Sequence, residues 1–298
     1  MGQSANVVFE STTNAIIEAI EKGAEEWCMP WSTERFEFPS NPVTRKRYRG
    51  GNVLTLVGES LVATYSSGEW ATYRQWTTVG AQVRKGERGT ACIWWHVPKP
   101  VEHRDDVADA PRTGFFPRTF VVFNAAQVDD YSATPSLRNS PQQLVTADTF
   151  FANVDANVEH RNLGRAFYSP DRDLIVLPQF DSFVDTPSYY ATSAHEHAHW
   201  TGHPDRLNRD LTGRFGSDGY AMEELVAELS AAFTCAMLGI SPTPRPDHAA
   251  YLALWLRVLR ADSKALHLVA GKAQAATDYL VSFGEPVDLG SGYSEYSM

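Results

Sequence analysis

From His195 to His199 the chain reads His-Glu-His-Ala-His, so two imidazoles stand four residues apart with a carboxylate beside the first. On a helix that spacing stacks His195 and His199 one turn apart on one face. Two neutral imidazoles so placed bind one Zn2+ at about 2.0–2.1 Å each, leaving room for a third ligand and a water. Zinc lowers the pKa of that water toward ~7 and polarises a carbonyl, while Glu196 can take the water's proton and pass it to a leaving amine. The chemistry expected is peptide-bond hydrolysis with Glu196 as base. The plain alternative is a His-rich helix that binds metal adventitiously or not at all. Its flanks predict the helix independently. Asp185 or Thr186 can cap it, Pro187 suits the first turn, and Gly202 followed by Pro204 supplies the stop, giving a helix over 187–201.

Downstream, 220–238 reads as a second helix ending at Gly239. At about 100° per residue, Glu224 and Glu228 lie about 40° apart on a face shared with Ala221, Ala231 and Cys235, while Glu223 points elsewhere. Two carboxylates on a small apolar face suit one metal ligand and one group holding a ligand histidine by its far nitrogen. Glu224 is expected as the ligand and Glu228 as the holder, and the two roles can be exchanged. Asp205 and His203 compete, because 195–205 spells HExxHxxGxxD, the spacing of metzincin-type sites with Asp in place of the third His. His197 lies about 160° from each of His195 and His199 and is not expected to ligate. Tyr189, Tyr190 and Tyr220 are candidate donors to an oxyanion, although core packing is the commoner use of tyrosine. Just upstream of the His motif, 166–168 and 174–177 flank a Ser-Pro-Asp-Arg turn and predict a hairpin whose edge could hold an extended peptide.

A different chemistry is suggested by Arg45-Lys46-Arg47-Tyr48-Arg49-Gly50-Gly51-Asn52, four cations and one ring in what reads as a loop. Cations that track a backbone, interleaved with rings on which bases stack at about 1–3 kcal/mol each, are the means of binding single-stranded nucleic acid. Arg74, Arg84 and Lys85 extend the basic set, and Trp70, Tyr73, Trp76, Trp94 and Trp95 supply rings. The competing reading is a solvated basic turn with ordinary core tryptophans. Residues 41–91 hold eight basic and three acidic side chains, a local charge of +5 in a chain of −10, so the remainder carries −15. A protein gripping nucleic acid over its whole surface is excluded.

The elements that position these residues fall into two halves. At 298 residues, and roughly 100–200 per domain, two domains are expected. The polar stretch 131–143, rich in Ser, Pro, Asn and Gln, marks the boundary, with one domain over 1–130, a linker over 131–145 and a second over 146–298. A second polar, proline-containing excursion covers 97–114. The first half opens with an amphipathic helix over 13–26, where Ile16, Ile17, Ala19 and Ile20 recur near helical spacing, followed by strands such as 91–95 and 120–123. Two amphipathic helices, 251–259 and 266–280, complete the second half. Both halves read as α+β. Cys28, Cys92 and Cys235 are odd in number and scattered, which excludes a disulfide framework and a Cys-based metal site. No apolar run reaches the roughly 18 residues a membrane span needs. The N-terminus lacks a basic start and an apolar core, so a cytoplasmic protein is expected.

Both halves resemble one family, the ArdC-type antirestriction proteins carried by conjugative plasmids. The resemblance rests on 42–54 (PVTRKRYRGGNVL), 70–89 (WATYRQWTTVGAQVRKGERG), 122–127 (VFNAAQ), 189–209 (YYATSAHEHAHWTGHPDRLNR) and 220–233 (YAMEELVAELSAAF). It implies an N-terminal single-stranded-DNA-binding domain and a C-terminal zincin-like metallopeptidase domain that together help incoming plasmid DNA escape host restriction. It also implies that His195, Glu196 and His199 are the metal and base positions, and it favours the Glu224/Glu228 helix over Asp205. His197 stands where the family carries an apolar residue.

Overall fold

A computed structural model describes residues 5–22, 37–96, 116–133, 141–212, 217–240 and 248–284. In the first half the order is α1 (Ala5–Lys22), α2 (Gly51–Ala63), β1 (Trp70–Ala71), α3 (Tyr73–Thr78), β2 (Gln82–Val83), β3 (Thr90–His96), β4 (Phe116–Asn124) and β5 (Val128–Asp129). The second half runs α4 (Pro141–Asn153), β6 (Asn157–Arg161), β7 (Phe167–Ser169), β8 (Leu174–Pro178), α5 (Thr186–Thr201), α6 (Asp218–Leu238), α7 (His248–Ala261) and α8 (Ala265–Val281). The α+β expectation holds for both.

The helix expected over 13–26 is longer at its start, and beyond Lys22 it lies outside the described residues. After it the chain does not pass directly to strands. Residues 51–63, expected to open as loop, form α2, whose consecutive residues Val53 to Gly58 are all buried. It is covered on two sides: Val53, Leu54 and Val57 pack with α1, α6, α7 and α8, while Leu56 packs on Trp70, Cys92 and Val122 of the sheet. With both sides of the stretch Val53–Gly58 covered, those turns have no polar stripe and carry no 3.6-residue signature, while Leu61 and Val62 at the end are exposed.

Strand β4 is central in an antiparallel sheet ordered β1-β4-β3, with Cys92 opposite Phe120 and Trp70 opposite Asn124. One sheet face meets α2, and the other carries Ala91 and Ile93 under Val8 of α1. Asn52 closes the outer edge of β3, its side-chain amide donating to Ile93 O at 2.6 Å and accepting from Ile93 N at 2.8 Å. Strands β2 and β5 pair beside a smaller core of Ala71, Trp76, Ala81, Val83, Ala125 and Val128.

The expected hairpin is present as β7 and β8 around a turn at Pro170–Arg172, and β6 adds parallel to β8, giving the order β6-β8-β7. Helix α4 begins at Pro141, so the end of the expected linker is helical. Residues 97–114, 134–140 and Cys28 lie outside the described residues. A core built from Phe150, Ile175, Leu177, Ala194, Trp200 and Leu238 joins sheet, α4, α5 and α6. A second core takes Ile16, Val53, Leu54 and Val57 from the first half and Leu225, Leu229, Trp255, Leu266 and Val269 from the second, so apolar packing joins the halves. No helix among the described residues is long and apolar enough to cross a membrane.

Candidate functional site

Helix α5 carries the His motif and is bounded as its flanks predict. Asp185 accepts from Ser188 N at 2.7 Å, Pro187 lies in the first turn, and Gly202 is the C-cap. Gly202 is also a close-approach position, since a Cβ there would meet Leu211 Cδ2 at 2.9 Å and Arg209 Nη2 at 3.0 Å. That lets the following loop double back, with Arg209 N donating to Gly202 O at 2.9 Å. Helix α6, capped by Ser217 and ended by Gly239 in the left-handed conformation, lies against α5.

Between the two helices His195, His199 and Glu224 converge. The two Nε2 atoms are 3.2 Å apart, and the Glu224 carboxylate lies 3.6 Å from each. An ion bound tetrahedrally at about 2.0–2.1 Å holds its ligands about 3.3 Å from one another, so this donor set fits one divalent ion. Protonation supports the fit. His199 Nδ1 is 3.2 Å from Glu223 Oε1, and His195 Nδ1 is 3.2 Å from Glu228 Oε1, the latter at a poorer angle than a full hydrogen bond. A carboxylate only accepts, so each Nδ1 is assigned the proton and each Nε2 presents a bare lone pair. Two lone pairs and a carboxylate aimed at one buried point repel unless a cation lies between them.

Glu223 is the residue sequence reasoning missed. Expected to point elsewhere, it is held by Arg209 through Nε at 3.0 Å and Nη2 at 2.8 Å, and in turn holds His199. The arginine is buried and also donates to Thr201 Oγ1 and Ala198 O at 2.8 and 2.7 Å. Burial alone would raise the Glu223 carboxyl, but hydrogen bonds from His199 and Arg209 and their charges leave it below the usual carboxylate range. Glu224 is likewise lowered against its own desolvation by His195, His199 and a hydrogen bond from Tyr220. Tyr220 is thus the one of the three tyrosines at the site. Tyr189 meets His160 Nε2 at 3.0 Å, and Tyr190 donates to Asp148 at 3.2 Å.

Glu196 is buried beside His195 and makes no hydrogen bond or ion pair among the described residues. His197 faces away, its Nδ1 at 2.7 Å from Ser193 O and its ring 4.9 Å from that of Phe151, and burial pushes it down to about 4, so it stays neutral. Asp205 is exposed and contacts only His203, at 3.6 Å, and neither joins a ligand cluster among the described residues. The geometry selects α6 over the metzincin-type spacing.

The basic residues divide. Asn41 Oδ1 accepts from Val43 N and Thr44 N, both at 3.0 Å, and its amide donates to Gln75 of α3 at 3.0 Å. That turn presents Arg45, exposed at φ 60°, and half-exposed Lys46. With Val43 and α3 packed on the small core around Trp76, the turn, α3 and the loop after β2 bring Arg45, Arg74 and Lys85 onto one lobe. All three are exposed and unpaired among the described residues. Arg47 lies 5.6 Å over the Phe38 ring, Arg49 pairs with Asp278 of α8, and Arg84 binds Glu87 at 2.8 Å. Tyr48, expected as a stacking ring, is instead partly buried with its hydroxyl donating to Trp70 O at 3.1 Å. Trp70 and Trp76 are likewise core residues. The cause is common: each ring is packed by the sheet or by α3. The Trp95 side chain lies outside the described residues.

Comparison with known proteins defines the class. Residues 145–272 match a zincin-like metallopeptidase family, and residues 6–123 match the N-terminal domain of anti-restriction factor ArdC. The solved antirestriction ArdC protein from plasmid R388 is 33% identical, with coverage of 92% of this chain and 97% of that one; TM-scores are 0.74 for its metal-free and 0.73 for its Mn(II)-bound structure. This chain belongs to the ArdC antirestriction family. Protein y4eC of Sinorhizobium fredii (strain NBRC 101917 / NGR234) is 40% identical over 93% of this chain and 92% of its own. A DNA primase TraC of Escherichia coli is 34% identical over 92% of this chain, which spans only 27% of the primase.

Proposed function

We propose that this chain is an antirestriction protein that binds single-stranded DNA through residues 1–130 and holds a zinc ion at a metallopeptidase-type site within 146–298, protecting incoming plasmid DNA during conjugation. The observation that carries the second half of this reading is the convergence of His195 Nε2, His199 Nε2 and the Glu224 carboxylate on one buried point. Bound there, a divalent ion supplies Lewis acidity toward water and a carbonyl group. Glu223 and Glu228 keep the two imidazoles in the ligating tautomer. Glu196, unengaged and adjacent, takes a proton from water and delivers it to a leaving amine. Tyr220, whose hydroxyl donates to Glu224, is the tyrosine at the site and would have to release that carboxylate to donate to a developing oxyanion. The DNA half of the reading is supported by the lobe of unpaired Arg45, Arg74 and Lys85 and by the ArdC match over residues 6–123. In this proposal the protein acts in the cytoplasm.

The two activities are separable on this reading. Changing Arg45, Arg74 and Lys85 together to Ala lowers affinity for a single-stranded oligonucleotide, flattens its salt dependence and reduces plasmid transfer into a restricting host, with metal content unchanged. Unaltered affinity overturns the DNA assignment. Burial of the unengaged Glu196 beside the donors favours a second reading, a DNA-recruited metallopeptidase acting on a protein target. There Glu196→Gln abolishes protection while DNA and metal binding stay intact, whereas under the first reading protection persists. A third, in which the metal only staples the fold, makes the same variant silent and makes chelation destabilising.

A further inference from the structure

We propose that the open face formed by Tyr73, Phe123 and Val121 is the surface on which the bases of single-stranded DNA stack, with Tyr73 as the receiving ring. The inference rests on the single-strand reading above and moves the stacking role away from Tyr48, whose ring is packed inward. Tyr73 opens α3 and is 49% exposed. Its ring meets that of Phe123 edge-on with centroids 6.4 Å apart, and its hydroxyl accepts from Gln82 Nε2 at 2.7 Å. A ring held from two sides yet open to solvent has little rotamer freedom left to lose when a base covers it.

Val121 and Phe123 are two apart on β4 and share a face, where Phe123 is partly buried against the small core around Trp76. Val121 is 42% exposed. Gly89 runs flat across that face: a Cβ on it would lie 2.3 Å from Val121 Cγ1 and 2.9 Å from Phe123 Cζ. Only glycine permits this approach, and exposed Arg88 precedes it in the chain. Arg74 follows Tyr73 in α3, and Lys85 lies in the Arg84–Glu87 turn just before Arg88. These three cations are exposed and form no ion pair among the described residues. Glu87 is held by Arg84 at 2.8 Å and by Gln127 at 3.1 Å, and Asp129 lies 3.7 Å from Arg84. Because Glu87 and Asp129 share the one Arg84 and Asp130 is exposed nearby in the chain, Arg74, Lys85, Arg88 and Arg84 stand against three acids, a net excess of one positive charge. An exposed ring and an apolar shelf on a segment with exposed, unpaired cations suit unpaired bases joined by phosphates. A duplex, with its bases already stacked, gains nothing from the ring.

The test is fluorescence anisotropy of a labelled oligo-dT with the full chain and its Tyr73→Phe, Tyr73→Leu and Tyr73→Ala variants. Tyr73→Phe is expected to bind within about twofold of wild type, and Tyr73→Leu and Tyr73→Ala roughly tenfold more weakly, at an unchanged salt slope. Replacing Arg74 and Arg88 by Gln is expected to reduce the slope of log K against log salt by about 1.4, at roughly 0.7 per phosphate contact on a single strand. Equal affinity across the three Tyr73 variants overturns the proposal. A wild-type chain that binds no oligo-dT overturns the underlying single-strand reading instead, so the two failures are distinguishable. The leucine variant keeps bulk and apolarity, so its loss against retention in Tyr73→Phe reports stacking and not folding.

Discussion

At the scale of single residues the site is a set of proton assignments. Each of the two converging imidazoles has two nitrogens that point in opposite directions, and the chain supplies a carboxylate to the far one in both cases, Glu228 for His195 and Glu223 for His199. The pair of histidines, Glu196, Glu224 and Glu228 were legible in the sequence because the helical period alone places them. Glu223 was not, since the partner of an Nδ1 lies to the side of the ligand face and its place depends on how α5 crosses α6. Arg209 was illegible for a related reason: a loop cation has no period, and its burial arises only once Gly202 lets the chain fold back. Glu223→Gln is expected to weaken metal binding by roughly 10–100-fold, measured by competition with a chromogenic chelator. The amide can donate as well as accept, so it no longer fixes the proton on His199. Affinity equal to wild type contradicts the assignment.

At the scale of elements, local chemistry decided what could be read. Helix α5 was legible to within a residue, because Asp185, Pro187 and Gly202 act through neighbours in the chain. The β7–β8 hairpin was legible from its Ser-Pro-Asp-Arg turn, and its geometry is reinforced by Arg206, which stacks 4.0 Å from the Trp200 ring centre and pairs with Asp173. Helices α2 and α4 were illegible: α2 is buried on two sides and lacks a polar stripe, and α4 starts inside a polar stretch that resembles linker. The cap is testable in isolation. Asp185→Ala is expected to cost about 1 kcal/mol, read as a lower urea midpoint with an unchanged m-value. A midpoint within error of wild type would show that the sheet, not the cap, holds the start of α5.

At the scale of the whole molecule, the two halves are joined by apolar packing more than by charge. Arg49–Asp278 and Arg260–Glu21 are exposed pairs, and such pairs contribute about 0–1 kcal/mol. Leu54 is fully buried among residues of both halves, so Leu54→Ala is expected to cost about 2–5 kcal/mol and Arg49→Ala less than about 1 kcal/mol, compared by denaturant titration. The α+β division was visible in sequence, but the shared core was not, since periodicity within an element does not say which distant element covers it. His267 of α8 lies in this seam, its ring 4.6 Å from that of Phe9, and burial pushes it down to about 4. Below its unfolded pKa the unfolded chain therefore binds more protons than the folded one, and stability falls as pH drops from ~6.5 toward ~4. In His267→Leu the difference in Tm between pH 7 and pH 5 is expected to shrink. An undiminished difference assigns the pH dependence to other groups. The central claim, that one divalent ion is held by His195, His199 and Glu224, is tested most directly by calorimetric titration of the metal-stripped full chain with zinc. One ion per chain is predicted for wild type and for Asp205→Asn, with binding strongly weakened in Glu224→Gln. A wild-type chain that takes up no zinc, or a Glu224→Gln chain that binds as tightly while Asp205→Asn does not, would contradict it.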